Sequence, residues 1–448
     1  LLAFRQWLGG WRAGSRNPCH PRRSAGLKAV RILYLHQHFS TPEGATATRS
    51  FAFARALAAH GHRVTLATGR YHGAETGLAG AFRKGRREGR VAGFQVVEWD
   101  IPCANAMGVA ARGAAFLRYA AAAARMAFRM KPDLIIASST PLTVALPALL
   151  ARALRGIPFI FEIRDPWPEL PRAMGVLPAP LAPVFEVLAN LACRQAAAVV
   201  ALSEGMAETA RARGADPALV QVIGNGCDLD LFGPHIAPWR PPEAAPWEVL
   251  ALYAGAHGRA NGLGVMIDAA RLLAERGETR LRILLVGEGA EKTALIQQGA
   301  GLPNLTFLPP MPKRDVARLF AGSQIVLHIL ADCPAFAEWT APNKLMDGLA
   351  AGRPVISNVP GQAARLLTEG GAGIAVPPGD APGLAAALVS LVEDPARRAA
   401  MGAAARSLAL RQHDRRLLAQ RFVTLAEAAL GAGAARASHA RLVMSGRG

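Results

Sequence analysis

The sequence predicts an α/β protein built from two doubly wound parallel-sheet domains that face each other across a cleft. Three observations predict this. Short apolar runs alternate with helix-period segments, as in a parallel sheet covered on both faces. A Pro-rich stretch at 233–246 interrupts the alternation, which then restarts. The length of 448 residues leaves room for two or three domains at roughly 100–200 residues each.

Taken in order, the first 29 residues hold Arg5, Arg12, Arg16, Arg22, Arg23 and Lys28 and no acid. They read as a disordered basic leader or a mis-assigned start. Residues 30–232 then form the first domain. Its strands are expected at 31–36, 64–68, 94–99, 134–137, 159–163, 198–202 and 220–223, and its helices at 48–60, 113–130, 142–154 and 181–194. Residues 233–247 are the linker. The second domain, 248–394, carries strands at 249–253, 281–286, 305–308, 325–329, 354–357 and 373–376. Its helices are expected at 265–276, 290–299, 313–320, 342–351 and 384–392. An Ala/Arg-rich helical region follows at 395–430, with its return to the first domain left open, and 431–448 reads as a loose tail.

Composition narrows the function classes. Hydrophobic residues make up 51% and charged residues 19%, which excludes a largely disordered chain. The five cysteines are scattered without a C-x-x-C, so neither a disulfide framework nor a zinc site is expected. A reducing compartment fits. The formal charge is +19, compatible with nucleic acid, anionic membrane or phosphorylated substrates. Only six of the 51 basic residues are lysine, so much of the charge reflects arginine-rich composition. Apolar runs such as 142–154 stop at arginines, short of the roughly 20 residues a bilayer span needs.

The segment Thr340-Ala-Pro-Asn-Lys-Leu-Met-Asp-Gly-Leu-Ala-Ala-Gly-Arg-Pro354 carries the densest chemistry. Pro342 suits a first helical turn and Gly352 a helix stop. Asn343, Lys344 and Asp347 then share one polar face near the helix start. Free N–H groups, the positive dipole end and Lys344 suit a phosphate, and Asp347 suits a ribose diol; an ordinary surface ion pair is the competing reading. Gly255-Ala-His-Gly-Arg259 follows the first strand of the second domain, where glycines let backbone N–H groups approach an anion. Glu288 ends the next strand. In the first domain, Glu162, Arg164 and Asp165 end a strand at the cleft edge, as a site or as a structural Arg–carboxylate pair. Gly44, Thr46 and Thr48 follow the first strand and suit either substrate contact or helix capping. His36 and His38 have no metal-ligand partner at useful spacing. Asp228-Leu-Asp230 lies just before the linker and reads as structural.

Pro342-Asn343-Lys344, Asp347 and Ala350-Ala351-Gly352-Arg353-Pro354 resemble the donor-binding helix of family 4 retaining glycosyltransferases. Residues 32–49, Glu162–Glu169, Leu202–Met206, Asn225–Asp228, Tyr253–Gly258 with Asn261-Gly262, and Val286–Gly289 resemble further segments in the family's order. They are similar to its bacterial surface-polysaccharide branch. The resemblance implies a GT-B fold, with catalytic roles around Glu162, Arg164 and Asp165. It implies substrate contacts from Gly44, Thr46, Gly255, His257, Gly258, Arg259, Glu288, Asn343, Lys344 and Asp347. It further implies a nucleotide-sugar donor, UDP-linked, with N-acetylated amino sugars among the candidates, and no metal or other cofactor. The implied acceptor is a polyprenyl-diphosphate-linked saccharide at the inner face of the cytoplasmic membrane. One departure stands out: where many members carry a first glutamate, this chain has Trp339, with Glu338 one residue out of register.

Arg83, Lys84, Arg86, Arg87 and Arg90 crowd one loop, and Arg112, Arg118, Arg125, Arg129 and Lys131 line the next helix. Together they are expected to meet an anionic membrane surface. A UDP-N-acetylglucosamine 2-epimerase on the same double plan is the enzymatic alternative. A non-enzymatic nucleic-acid binder is the other, although no recognised module and few interleaved aromatics support it.

Overall fold

The computed structural model describes residues 29–44, 48–104, 107–175, 177–340 and 343–445, with side chains up to residue 431. The leader at 1–28, Thr46 and Pro342 lie outside the described residues. The first sheet contains β1 (Arg31–Leu35), β2 (Arg63–Tyr71), β3 (Arg86–Val91), β4 (Phe94–Cys103), β5 (Leu134–Ser138), β6 (Phe159–Ile163), β7 (Ala198–Ala201) and β8 (Val220–Val222). Their order is β3-β4-β2-β1-β5-β6-β7-β8, and β3 alone runs antiparallel to its neighbour. Helices α1 (Arg49–Ala59), α2 (Val109–Met130), α3 (Ala145–Arg155), α4 (Glu169–Ala173), α5 (Ala182–Gln195) and α6 (Glu204–Ala212) belong to this half.

The second sheet is parallel throughout. It contains β9 (Val249–Ala254), β10 (Leu281–Val286), β11 (Leu305–Leu308), β12 (Ile325–His328), β13 (Val355–Ser357) and β14 (Gly373–Ala375), ordered β11-β10-β9-β12-β13-β14. Its helices are α7 (Gly264–Glu275), α8 (Lys292–Gln298), α9 (Lys313–Gly322), α10 (Phe336–Trp339), α11 (Asn343–Ala351), α12 (Gln362–Glu369) and α13 (Ala381–Glu393). The chain ends with α14 (Pro395–Gln412) and α15 (Arg415–Ser445). The fold class expected from the sequence is the one observed.

Each sheet is buried on both faces. In the first half, Leu33, Ile135, Phe159 and Val199 pack with α2, α3, α5 and α6. Ile32, Tyr34, Leu66 and Ile136 pack on the other face with α1 and α15. Alanines such as Ala120, Ala123 and Ala127 are buried, and their small volume lets α2 lie close to the strands.

Several elements differ from the sequence expectation, each for a physical reason. The basic run at 83–90 is not a loop. Residues from Arg86 form β3, an edge strand paired with β4. Its alternation is of charges, without an apolar face, and charged residues suit an edge that must resist further pairing. Arg87 donates to the buried Glu98 at 2.8 Å, and Arg86 stands 3.7 Å from Glu88. The helical region expected at 395–430 resolves into two helices. Between them the Cys227 N–H donates to the His413 carbonyl at 2.5 Å and the Arg415 N–H to the Cys227 carbonyl at 3.0 Å, diverting the chain. Helix α14 then packs on α11 and α15 on α1, so the chain crosses back to the first domain. Phe422 seals that crossing, 4.6 Å from the Phe53 ring and 6.3 Å from Tyr34. Helix α15 continues to Ser445, into the segment expected to be a loose tail.

Candidate functional site

In each sheet the chain leaves a central strand, β1 or β9, between neighbours whose connections run in opposite directions. Such a switch point opens a crevice at the carboxyl ends of the strands, where ligands bind in doubly wound sheets. The candidate residues come from these loops.

On the second-domain side, Lys344 in the first turn of α11 reaches back over the loop after β9. Its Nζ donates to Asn261 Oδ1 at 3.1 Å and stands 4.6 Å from the centre of the Tyr253 ring. The Tyr253 hydroxyl donates to the same Asn261 oxygen at 2.8 Å. Gly255 makes this possible: a Cβ there would lie 2.0 Å from Lys344 Cε. The glycine thus makes room for the lysine's own stem. Burial pushes the Lys344 ammonium down to about 8, since no carboxylate offsets its desolvation.

The neighbouring loop after β10 is zipped to this one. The Gly255 N–H donates to Val286 O at 2.8 Å and the His257 N–H to Glu288 O at 2.9 Å. A Cβ on Gly287 would fall 1.9 Å from the Gly255 carbonyl oxygen, so the two loops approach as closely as backbone allows. His257 sits on the first of these two loops. It is 0% exposed, wedged near Tyr253 and Phe307, and burial lowers its imidazole to about 4. Both of its ring nitrogens are buried without a hydrogen-bond partner among the described residues. Gly258 has nothing within 4 Å of a notional Cβ, so that side is open. Arg259 is exposed beside it. Glu288 is exposed too, pairing with Lys292 at 3.3 Å, and its carboxyl is lowered chiefly by the Gly289 N–H. Asn343 is part-buried at the start of α11.

Asp347, one turn further along α11, does not meet Lys344. It is 7% exposed and pairs with Lys313 of α9 at 3.2 Å. Burial raises its carboxyl, while Lys313 and Arg415 act the other way. Sequence reasoning missed Lys313. Its signal was a lysine at the first residue of a helix, where the dipole disfavours a cation.

On the first-domain side, Glu162 answers to the second of the two readings that its sequence left open. It is wholly buried, accepting from Arg49 Nε at 2.8 Å, from Tyr34 at 3.3 Å and from Ser138. Burial would raise its carboxyl, but Arg49, Arg164 and the bonds from Ser138 and Arg49 outweigh it and hold it low. This is a structural Arg–carboxylate pair, with no face left for substrate. Arg49, the missed partner, is itself 0% exposed.

Arg164, by contrast, is only part-buried, and its guanidinium lies 2.8 Å from His36 Nε2. Because a guanidinium only donates, His36 must accept there, and its Nδ1–H then donates to Ser50 Oγ at 2.8 Å. Burial, then Arg164 and His38, keep this imidazole neutral. Asp165 accepts from Thr140. Gly44 is buried, and a Cβ there would lie 2.3 Å from Ser40 Oγ and 2.6 Å from Glu75 N. It admits the chain's own loop, a packing reason for glycine.

The position of the family's first glutamate is a domain contact. Ser203 Oγ donates to the Glu338 carbonyl at 2.7 Å, and a Cβ on Gly205 would meet Glu338 Cβ at 2.7 Å. Trp339 packs against the first-domain core, and the Glu338 carboxylate faces Arg365 at 3.5 Å. Asp228 pairs with Arg415 at 3.1 Å and Asp230 with Arg416 at 3.5 Å, consistent with a structural role for both.

Comparison with known proteins agrees with this geometry. Residues 44–226 match the glycosyl transferase 4-like domain, and residues 248–394 match the glycosyl transferases group 1. A curated relative, D-inositol 3-phosphate glycosyltransferase of Kribbella flavida, is 27% identical over 205 residues, covering 43% of this chain and 47% of that protein. The chain therefore spans about half the length of the curated relatives it matches. Among solved structures, sucrose-phosphate synthase from Thermosynechococcus elongatus superposes with a TM-score of 0.70 at 16% identity, over 90% of this chain and 100% of that one. Anabaena Alr3699/HepE in complex with UDP-glucose gives 0.61 at 19% identity, over 89% and 98%. At such identities the likeness speaks for the fold. With two successive family matches laid over two Rossmann-like domains, the chain belongs to the family 4 glycosyltransferases of the GT-B fold.

Proposed function

We propose that the protein is a retaining glycosyltransferase. It moves a sugar from a UDP-linked donor to a polyprenyl-diphosphate-linked saccharide in cell-surface polysaccharide synthesis. The observation that carries the reading is Lys344, held over Gly255 by Asn261 and the Tyr253 ring at the carboxyl edge of the second sheet. A cation fixed beside a helix start stabilises the charge that develops on a departing diphosphate, the dominant electrostatic contribution in such a site. As the bond from the sugar's anomeric carbon to the phosphate oxygen breaks, the acceptor hydroxyl adds on the same face. Its proton passes to the leaving phosphate oxygen, so no protein base is required. That agrees with the burial of Glu162. Incubation of purified protein with UDP-sugars and a polyprenyl-diphosphate saccharide should yield an elongated acceptor and UDP. Epimerisation of UDP-N-acetylglucosamine without any acceptor would instead establish the 2-epimerase alternative.

The membrane part of the reading draws support from a surface that the sequence only half located. No described helix is long and apolar enough to cross a membrane. Yet Val109, Leu117, Leu150, Leu154, Val184 and Val187 are exposed, and they lie on α2, α3 and α5, which pack side by side. Arg118, Arg125, Arg155 and Arg194 are exposed on the same helices. Apolar side chains among arginines suit the headgroup layer of an anionic bilayer. Of the hairpin cations, Arg83, Lys84 and Arg90 form no ion pair among the described residues, while Arg87 is spent on Glu98. Leu117→Glu with Val184→Glu should lower sedimentation with phosphatidylglycerol vesicles by at least about tenfold. Burying each apolar side chain contributes roughly 1.5–3 kcal/mol. Unchanged sedimentation would remove this face from the reading.

A further inference from the structure

We propose that Lys313 is a positioning residue for the donor: it keeps the buried Asp347 carboxylate ionised, so that Asp347 accepts hydrogen bonds from the ribose hydroxyls of the nucleotide. This rests on the reading of α11 as the donor helix and deepens it. Lys313 and Asp347 are 9% and 7% exposed, with Lys313 Nζ 3.2 Å from the carboxylate and 5.4 Å from the Phe232 ring centre. A buried carboxylate left alone takes up a proton, and a protonated carboxyl would be a poorer acceptor for a diol.

Three further observations fit. Lys313 is the first residue of α9, whose N-cap, Pro312, makes no side-chain cap. A cation there works against the helix dipole, so its place needs another reason, and Asp347 supplies one. The chain holds only six lysines among 51 basic residues. A lysine in a buried pair is thus an unusual cation for this chain. Nor do the other groups facing Asp347 replace it. Arg415 comes from α15, but it is committed to Asp228 at 3.1 Å, to Thr48 Oγ1 at 2.8 Å and to the Asn225 and Gly226 carbonyls. Asp228 itself acts against ionisation of Asp347. Cys227 stays a neutral thiol, its ionisation disfavoured by burial and by Asp347.

The test is calorimetric binding of UDP and of its 2′,3′-dideoxy analogue between pH 5.5 and 8.5, to the full chain and its variants. Lys313→Met should bind UDP about tenfold more weakly near pH 6.5 and recover as pH rises and the carboxyl ionises. Its affinity for the dideoxy analogue should match the wild type. Lys313→Gln should behave alike, keeping the test open if the methionine variant does not fold, and Lys313→Arg should restore the wild-type profile at least in part. Asp347→Asn should bind weakly at every pH and lose the preference for UDP over the analogue. A wild-type pH profile in both neutral Lys313 variants, with that preference lost in Asp347→Asn, overturns the inference and leaves the donor-helix reading standing. Wild-type preference in Asp347→Asn instead removes the ribose role of Asp347, and the inference with it.

Discussion

Lys344→Ala should lower kcat/KM for transfer by about 100- to 1,000-fold, the range for losing one preorganised charge partner of the developing anion, about 2.7–4 kcal/mol. The fold should survive, because the lysine tip packs on a loop rather than in the core. Gly255→Ala should reproduce much of the deficit without touching the lysine, since the added methyl occupies the place of Lys344 Cε. The same side chain sets a pH dependence. The diphosphate binds the ammonium form, and with the free-enzyme value near 8 binding must take up a proton above that pH. Donor affinity is therefore steady below pH 7 and falls as pH rises, by about tenfold between pH 7 and 9. Steady-state KM for the donor across that window checks the sign. A KM that falls with rising pH would contradict the assignment.

Removing one half of the Arg49–Glu162 pair should be the most damaging change to stability. Both side chains are 0% exposed. Deleting either leaves a buried charge unpaired, at a cost of about 3–5 kcal/mol. Glu162→Ala or Arg49→Ala should therefore lower the Tm of the first-domain transition by about 10 °C, measured by calorimetry. The double change Arg49→Met with Glu162→Met should be less destabilising than either alanine variant, because no orphaned charge remains. The pH dependence has a definite direction. The Glu162 carboxyl lies below its ordinary value in the folded state. Its contribution is thus fully present above the unfolded-state value of about 4.3 and is lost as pH falls through the lower folded value. Acid unfolding of the wild type should be steepest below about pH 4, and Glu162→Ala should flatten it.

Much of this molecule was legible in its sequence, and the misses share a cause. Buried parallel strands announce themselves as apolar runs, so Phe159–Ile163, Leu281–Val286 and Leu305–Leu308 coincide with their expected limits. Strand β3 did not, because its residues alternate charge with charge and it is a strand only through pairing with β4. Helix α13 begins at Ala381, earlier than its apolar period, because Asp380 accepts from the Gly383 N–H at 2.8 Å and caps it. Within the site, Lys344 was foreseeable from its place in a helix's first turn. Asn261 and Tyr253, which hold it, come from another strand and loop, and no spacing relates them to it.

What the sequence determined by itself was the local chemistry: which segments are strands and helices, and that a lysine sits in the first turn of the α11 helix. Those follow from periodicity, capping and backbone preference, which act over a few residues. The tertiary structure alone decided which charged residues are spent on the fold. Glu162 and Lys344 look equally catalytic as letters. Yet Arg49, 113 positions from Glu162, consumes the one, while a missing Cβ at Gly255 makes a place for the other. Desolvation and pairing are set by neighbours distant in sequence, and they separate a carboxylate spent on the fold from the cation we propose for the donor.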